Sequence, residues 1–291
     1  MKKMLIMVLT LVLWAGISGC GAAEQEKPVP ESVTVPTLTD MGQTEPALGE
    51  QIIFDAEGVR ITIKGMEENT MTGTNIPVLV ENGTDRNLVF SGDLFVVNGI
   101  TVPGYLYAEV AAGTKTNDAI EFYSDVLKSA GITRIGTIRG HDTRLVDTDS
   151  YETVAKVPME LTTAYAPEEP YTHEENGVIL YRDREITVIA QMITEEFYGR
   201  TLQLMVRNDT GKDIIVEAVN ISVNGYTVDA WLYDTVAADT VRYCQLDLFE
   251  SGLAENGIDQ IDSVSFRLNF LDGGSFETIA QSEVLTVEVM G

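Results

Sequence analysis

An internal repeat limits the folds that this chain can adopt. The sixteen residues VNGITVPGYLYAEVAA (97–112) return 126 positions later as VNGYTVDAWLYDTVAA (223–238). At that shift residues 80–138 align with 206–264 without a gap and share 18 identities, where average composition gives about three or four. A unit of about 115 residues is the size of a whole domain and too long for a solenoid repeat. The repeat therefore predicts a tandem duplication of one domain.

Each copy consists of short apolar or alternating stretches separated by turn residues, which is the pattern of half-buried strands. An Asn-Gly pair at 98–99 and again at 224–225 predicts a hairpin, because both central positions of a type I′ turn need a positive φ. The predicted strands before these turns are 59–63, 76–80 and 88–97 in the first copy, and 185–189, 201–206 and 214–223 in the second.

A short helix of one to two turns is predicted late in each copy, over 124–132 and 250–258. Each begins with polar residues and ends at a glycine, Gly131 or Gly257, where a left-handed conformation costs little. Further strands follow, predicted over 132–138 in the first copy and 261–271 in the second. Seven or eight short strands a copy predict an all-β fold of two tandem immunoglobulin-like antiparallel β-sandwich domains, each with one short helix.

The N-terminus has the order of an export signal: Lys2 and Lys3, an apolar run over 4–16, small residues, and then Cys20. The run is too short to span a bilayer as a stable helix. Residues 20–49 are rich in proline and polar residues, which predicts a disordered tether. The predicted organisation is a signal peptide (1–19), a tether (20–49), a first domain (50–163), a linker (164–177) and a second domain (178–291).

Charge and cysteine content exclude several classes of protein. The net charge is −26, and it becomes −28 once residues 1–19, with their two lysines, are removed. Such a surface repels nucleic acid and anionic head groups, so no nucleic-acid partner is expected. If Cys20 carries lipid, Cys244 has no partner, and no disulfide supports the fold. We interpret Cys244 as a small buried apolar residue.

No catalytic motif is present, and a nucleophile would need a base beside it. The two histidines, His141 and His173, have no counterpart in the other copy and are interpreted as surface residues. Acidic turns at 147–149 and 272–274 could offer oxygens to Ca²⁺, but neither fits the calcium-loop pattern. The sequence therefore predicts no enzyme activity, no cofactor and no metal site.

The aromatic residues of the repeated stretch are the one candidate binding surface. In the strand after each Asn-Gly turn, alternate side chains fall on opposite faces. Aliphatic residues lie on one face, and the other face carries Tyr105 and Tyr107 in the first copy and Trp231 and Tyr233 in the second. Outward-facing rings would be rigid contact points for sugars or proteins. The alternative is that these rings lie in the core or under the short helix, because a bulge would reverse the faces.

The chain resembles uncharacterised bacterial lipoproteins that carry tandem immunoglobulin-like domains of unknown function. The resemblance rests on the residues before Cys20, the Asn-x-Thr turns at 82–84 and 208–210, the VNG hairpins and the helices that end in Gly-Ile. It implies a lipid on the Cys20 sulfur and attachment to the outer face of the cytoplasmic membrane. It implies no catalytic residues.

We therefore expect a non-catalytic binding or adhesion module for a protein or a cell-wall glycan. The alternatives are a structural envelope protein without a specific ligand and an extracytoplasmic hydrolase.

Overall fold

A computed structural model describes residues 46–68 and 70–289. These residues form an all-β fold of two antiparallel sandwiches, each with its own buried core and one short helix. The predicted fold class is confirmed.

The elements of the first sandwich are, in chain order, β1 (Gln51–Ala56), β2 (Val59–Ile63), β3 (Gly73–Asn82), β4 (Leu88–Val97), β5 (Ile100–Val110), β6 (Lys115–Tyr123), α1 (Ser124–Ser129), β7 (Thr137–His141), β8 (Arg144–Asp147), β9 (Thr153–Lys156) and β10 (Glu160–Thr162). Those of the second are β11 (Val178–Asp183), β12 (Ile186–Glu196), β13 (Gly199–Asn208), β14 (Ile214–Val223), β15 (Tyr226–Thr227), β16 (Ala230–Trp231), β17 (Tyr233–Val236), β18 (Thr240–Phe249), α2 (Glu250–Glu255), β19 (Ser263–Asp272), β20 (Thr278–Gln281) and β21 (Leu285–Glu288).

The strand order is the same in both sandwiches. One layer runs β1-β2-β3-β6 in the first and β11-β12-β13-β18 in the second. In the other layer β4 pairs with β5, β7 and β8, and β14 pairs with β15, β17 and β19. Burial alternates along β3 and β19 with a period of two, as expected for strands with one face on a core. Phenylalanines fill both cores, and in the first Phe95 meets Phe122 edge to face at 5.2 Å.

The Asn-Gly turns have the predicted conformation. Asn98 and Gly99 have φ of 53° and 78°, and Asn224 and Gly225 have 51° and 84°. The Asn98 side chain also accepts the N–H groups of Gly136 and Thr137, at 2.8 and 3.0 Å. The turn thus orients the entry into β7 as well as the hairpin.

The Asn-x-Thr turns are held by a fully satisfied buried amide. In the second sandwich Asn208 is 0% exposed, and its Nδ2 donates to the carbonyls of Lys212, Val236 and Ala237 at 2.7, 3.0 and 3.1 Å. Its Oδ1 accepts the N–H and the hydroxyl of Thr210 at 3.1 and 2.7 Å. Asn82 makes the same five bonds in the first sandwich. This geometry explains why both copies retain asparagine and threonine at these positions.

Both helices end as predicted. Gly131 has φ of 68°, its N–H donates to the Lys128 carbonyl at 3.0 Å, and the Ile132 N–H donates to the Leu127 carbonyl at 2.8 Å. This pair of bonds is the Schellman motif, and it recurs at Gly257.

Each helix begins at the predicted polar residue, Ser124 or Glu250, but the residue before it supplies no side-chain cap. The N-cap residues are aromatic, Tyr123 and Phe249, and neither makes a side-chain capping bond. In α1 the N–H of Ser124 donates to the Thr72 carbonyl of the facing hairpin at 3.0 Å. A backbone acceptor therefore replaces the side-chain cap.

Three further predictions need adjustment. The closing strand predicted over 132–138 begins only at Thr137, because residues 132–136 form the exit from α1. The return strand of the second copy is broken into β15, β16 and β17, while β5 is continuous. Leu48, placed in the tether, is 2% exposed and belongs to the first core, so the folded part begins before residue 50.

The two sandwiches meet at the Asn98-Gly99 hairpin. The N–H of Val241, in β18, donates to the Gly99 carbonyl at 3.2 Å. Next to it the hydroxyls of Thr101 and Thr240, both almost fully buried, lie 2.7 Å apart. Thr101 Oγ1 also accepts the N–H of the buried Ala237 at 3.1 Å. Separating the sandwiches would break both of these hydrogen bonds of Thr101, which is costly for buried polar groups. The junction therefore places the end of β4–β5 directly against the first residues of β18.

Candidate functional site

The four aromatic residues named from the sequence all face solvent. Trp231 is 60% exposed, Tyr105 51%, Tyr107 47% and Tyr233 39%. The aliphatic residues that alternate with them are turned into the cores, as the 2% exposure of Leu232 illustrates. The outward orientation is confirmed, and the alternative in which these rings fill the cores is wrong.

Trp231 and Tyr233 form a small platform. Their ring centroids lie 6.1 Å apart and their planes make an angle of 35°. Trp231 lies in β16, which leaves β14 and pairs with β18, so that Trp231 is the cross-strand neighbour of Asp247. Tyr233 lies in β17, which pairs again with β14. The break in the return strand therefore brings an indole beside a carboxylate on the outer face of the β13–β18 layer.

Asp247 is a half-buried carboxylate in which one oxygen accepts hydrogen bonds from neighbouring side chains. Its Oδ1 accepts the hydroxyl of Thr201 at 2.7 Å and that of Tyr198 at 3.4 Å. No residue that the structure describes donates a hydrogen bond to Asp247 Oδ2. Burial raises the pKa of Asp247, and the two hydroxyls oppose that change. A second acceptor is thus available beside Trp231.

These residues line a groove between the two sandwiches, which we call the interdomain groove. Its volume is about 280 Å³, and the second sandwich contributes Trp231, Tyr233, Gln245 and Asp247. The facing wall comes from the first sandwich, through Pro103 of β5 and the helix α1.

A wider cleft of about 810 Å³ adjoins the interdomain groove and shares Ser129, Tyr243 and Gln245 with it. Gln203 joins the two sides, because its Nε2 donates to the Ser129 carbonyl of α1 at 3.3 Å. The bond links the β13 strand of the second sandwich to the helix of the first. The wall and the floor of the grooves are therefore in direct contact.

Arg242, at the back of the interdomain groove, is already paired. It forms an ion pair with Asp234 and donates to the Thr235 carbonyl at 2.7 Å. The side chains of the pair are 14% and 21% exposed. A half-buried guanidinium with these partners serves the packing of β17 against β18, and its charge is neutralised before a ligand arrives.

The first copy repeats the aromatic–carboxylate pair. Tyr105 is the cross-strand neighbour of Glu121, at the positions equivalent to Trp231 and Asp247. Tyr105 and Tyr107 are not among the residues that line the interdomain groove. The structure therefore places the four predicted aromatic residues on two surfaces, and Trp231 and Tyr233 lie in the groove.

The histidines take part in contacts between and beside the sandwiches. His141 Nε2 lies 2.9 Å from Asp213 Oδ2, and this hydrogen bond raises the pKa of His141 and lowers that of Asp213. His173, in the linker, is packed against the Gly99 turn, and burial lowers its pKa. The partner of His141 is thus a carboxylate of the other sandwich, in a role that the sequence did not indicate.

The acidic turns are satisfied by their own backbone. Asp147 Oδ1 accepts the N–H groups of Asp149 and Ser150 at 2.9 and 3.0 Å, and these bonds lower its pKa. Asp272 makes the equivalent pair of bonds. No cluster of three or more His, Cys, Asp or Glu suited to a metal occurs within residues 46–68 and 70–289.

Cys244 lies fully buried in the second core, and burial raises its pKa well above the ordinary value. A thiol of that kind is held in its unreactive protonated form. Cys20 lies outside the described residues.

No protein-family model matches the chain, and no curated protein matches it. Within residues 46–68 and 70–289, both helices have six residues, too few to span a bilayer. The resemblance to bacterial lipoproteins stays a prediction from the sequence.

Proposed function

We propose that the protein is a lipid-anchored extracytoplasmic module that binds an envelope partner without catalysis, and that the interdomain groove is its contact surface. The partner is a protein or a cell-wall glycan. The observation that carries the proposal is the exposure of Trp231, on a ring platform inside a concave surface made by both sandwiches.

An exposed tryptophan has a physical cost that a binding role would explain. Burying a large apolar side chain stabilises a protein by roughly 1.5–3 kcal/mol, and a 60% exposed Trp231 forgoes much of that. Aromatic rings in partly enclosed surfaces are the residues that most often dominate binding energy. Tyr233 limits the freedom of the indole and so lowers the entropy lost on binding.

The lipid anchor is supported by the order of residues before Cys20 and by the absence of a disulfide requirement. Cys244 is buried in a core, so it supplies no alternative thiol for lipid or for a bridge to Cys20. Two sandwiches with extensive aliphatic cores need no disulfide to fold. We expect metabolic labelling with a palmitate analogue to mark the parent chain, and Cys20→Ala to lose both the label and its retention in membranes. Labelling that persists in Cys20→Ala would contradict the anchor.

Binding is tested by sedimentation with detergent-extracted envelope material. The detergent-solubilised full chain should co-sediment, and Trp231→Ala should reduce the bound fraction at least tenfold, because the platform is lost. Tyr226→Ala is the matched control: Tyr226 is 54% exposed in the same sandwich, does not line the interdomain groove, and should bind as the parent does.

Thermal unfolding separates a binding defect from misfolding. Substitution of an exposed residue usually changes stability by less than about 0.5 kcal/mol, which is a shift of roughly 1–2 °C in a chain of this size. If Trp231→Ala sediments as well as the parent, the groove is not the contact surface and a structural role without a ligand is favoured.

A further inference from the structure

The floor of the interdomain groove distinguishes the two classes of partner. A protein interface of ordinary size has an apolar, largely flat centre that buries roughly 800 Å² on each partner. Here the groove carries the polar Gln245 and Asp247 on its sheet side, opposite a wall that includes Pro103, Val126 and Ala130. The adjoining cleft extends the polar floor with Thr201 and Gln203. A concave surface with one aromatic end and a polar floor suits a narrow, hydroxyl-bearing chain better than a protein surface.

The platform suits the apolar face of a sugar ring. A pyranose has one face of C–H groups and an edge of hydroxyls, so it can lie on an indole and hydrogen-bond sideways at the same time. Trp231 offers the ring face, and its cross-strand neighbour Asp247 has Oδ2 without a described donor. Charge-assisted bonds from hydroxyl to carboxylate are short and strong. The two groups therefore match the two sides of one sugar unit.

The charges of the groove argue against an anionic ligand. Arg242 is neutralised by Asp234, and Asp247 adds a negative charge beside the platform. The whole chain carries a net charge of −26. A glycan with carboxylate or phosphate groups would be repelled at this site.

We propose that the interdomain groove binds an uncharged oligosaccharide, with one ring stacked on Trp231 and its hydroxyls bonded to Asp247 and Gln245. The adjoining cleft, which shares Gln245 and Ser129, gives space for the next sugar units. The assignment rests on the proposed function, because it names the ligand class of the same surface.

The test uses Trp231 as its own reporter. The chain has two tryptophans, and Trp14→Phe leaves the indole of Trp231 as the only one, whether or not residues 1–19 are removed. Chitohexaose and cellohexaose are the neutral probes, and an oligogalacturonate is the anionic one. We expect at least one neutral probe to change the fluorescence saturably and the anionic probe to leave it unchanged.

Calorimetry on variants then locates the binding. Trp231→Ala should weaken binding of that neutral probe at least tenfold, Asp247→Ala should weaken it similarly, and Tyr226→Ala should leave it within twofold. Trp231→Phe, which keeps a ring, should retain part of the affinity. The affinity for an uncharged sugar should change less than twofold between about 0.05 and 0.5 M salt, because no ion pair is screened.

Different results would overturn the glycan assignment and the proposed binding function. If neither neutral probe binds, while Trp231-dependent sedimentation with envelope persists and is abolished by protease treatment of that envelope, the partner is a protein and the glycan assignment is wrong. If the anionic probe binds as tightly as the neutral ones, the assignment is also overturned. If sedimentation does not depend on Trp231, the proposed function itself fails.

Discussion

Asn208→Ala should destabilise the second sandwich more than any exposed substitution. The side chain is 0% exposed and makes five hydrogen bonds, to the carbonyls of Lys212, Val236 and Ala237 and to two donors of Thr210. At a net contribution of about 1 kcal/mol per bond, the upper limit is about 5 kcal/mol. Not all of that is lost. The Ala237 carbonyl keeps the Thr240 hydroxyl at 2.8 Å, and Thr210, in a surface turn, can bond water, so we expect about 3 kcal/mol.

Asn208→Asp gives a sharper test of the same geometry. It keeps the acceptor for Thr210 but replaces the donor by an oxygen that faces three carbonyls. The charged form is therefore strongly disfavoured in the folded state, and the pKa of the new carboxyl is raised above its unfolded value. The folded state then binds more protons than the unfolded state, so stability falls as pH rises from about 4. Asn208→Asp should lose more stability than Asn208→Ala at pH 7, and the difference in the free energy of unfolding between the two variants should become smaller toward pH 5.

Urea denaturation followed by far-UV circular dichroism measures both variants. Asn117→Ala is the control, because Asn117 is exposed on β6 and should change stability by less than about 0.5 kcal/mol. Asn82→Ala should reproduce the loss in the first sandwich. A loss below about 1 kcal/mol for Asn208→Ala, or a pH-independent difference between the two substitutions, would refute the reasoning.

Three further predictions follow from the structure. Gly199→Ala should cost more than about 2 kcal/mol in urea denaturation, because φ is 149° and the added Cβ would lie 2.1 Å from the Leu248 carbonyl oxygen; a near-neutral result would contradict the strand pairing. In the parent chain, the His141–Asp213 pair stabilises the folded state most between pH 3.8 and 6.5, which are the ordinary pKa values of the Asp and His groups. This contribution is lost as pH rises through the raised pKa of His141. Asp213→Asn should therefore flatten the difference in melting temperature between about pH 6 and pH 8, and an unchanged profile would exclude the pair. Acrylamide should quench Trp231 fluorescence in the Trp14→Phe chain to nearly the extent seen in urea, whereas a protected indole would contradict the exposure of 60%.

Much of the fold could be predicted because the same local sequence signals occur in both copies of the repeat. Asn-Gly needs positive φ wherever it forms a type I′ turn, and Gly131 and Gly257 mark left-handed helix ends for the same steric reason. Two copies of such a local signal reinforce each other. Alternation of side chains along the return strand also predicted two faces correctly, so the orientation of Trp231 followed from local sequence. The register shift between β4 and β5 near Gly92 did not reverse the faces of the first copy.

The site itself depended on long-range pairing that local patterns do not encode. Asp247 becomes the neighbour of Trp231 only because β16 pairs with β18. The register of the repeat, which aligns Glu121 with Asp247, offered a signal that could have suggested this. The α1 wall and the His141–Asp213 contact offered none, since each is a contact between the two sandwiches and a contact of that kind is not repeated within a copy.

The comparison of the two copies indicates how duplication could create a site. Both copies pair an exposed aromatic residue with a carboxylate across two strands, as Tyr105 with Glu121 and Trp231 with Asp247. The second pair differs in its surroundings, because the α1 end of the first sandwich forms a wall over it.

The position of that wall is set by the junction, where the hydroxyls of Thr101 and Thr240 share a hydrogen bond and the Val241 N–H donates to the Gly99 carbonyl. A change at the junction should therefore alter ligand affinity without touching a groove side chain on the second sandwich. Thr240→Val, which removes one buried hydroxyl, is such a change. On this reasoning, affinity in the groove depends on the packing of one copy against the other as much as on Trp231 itself.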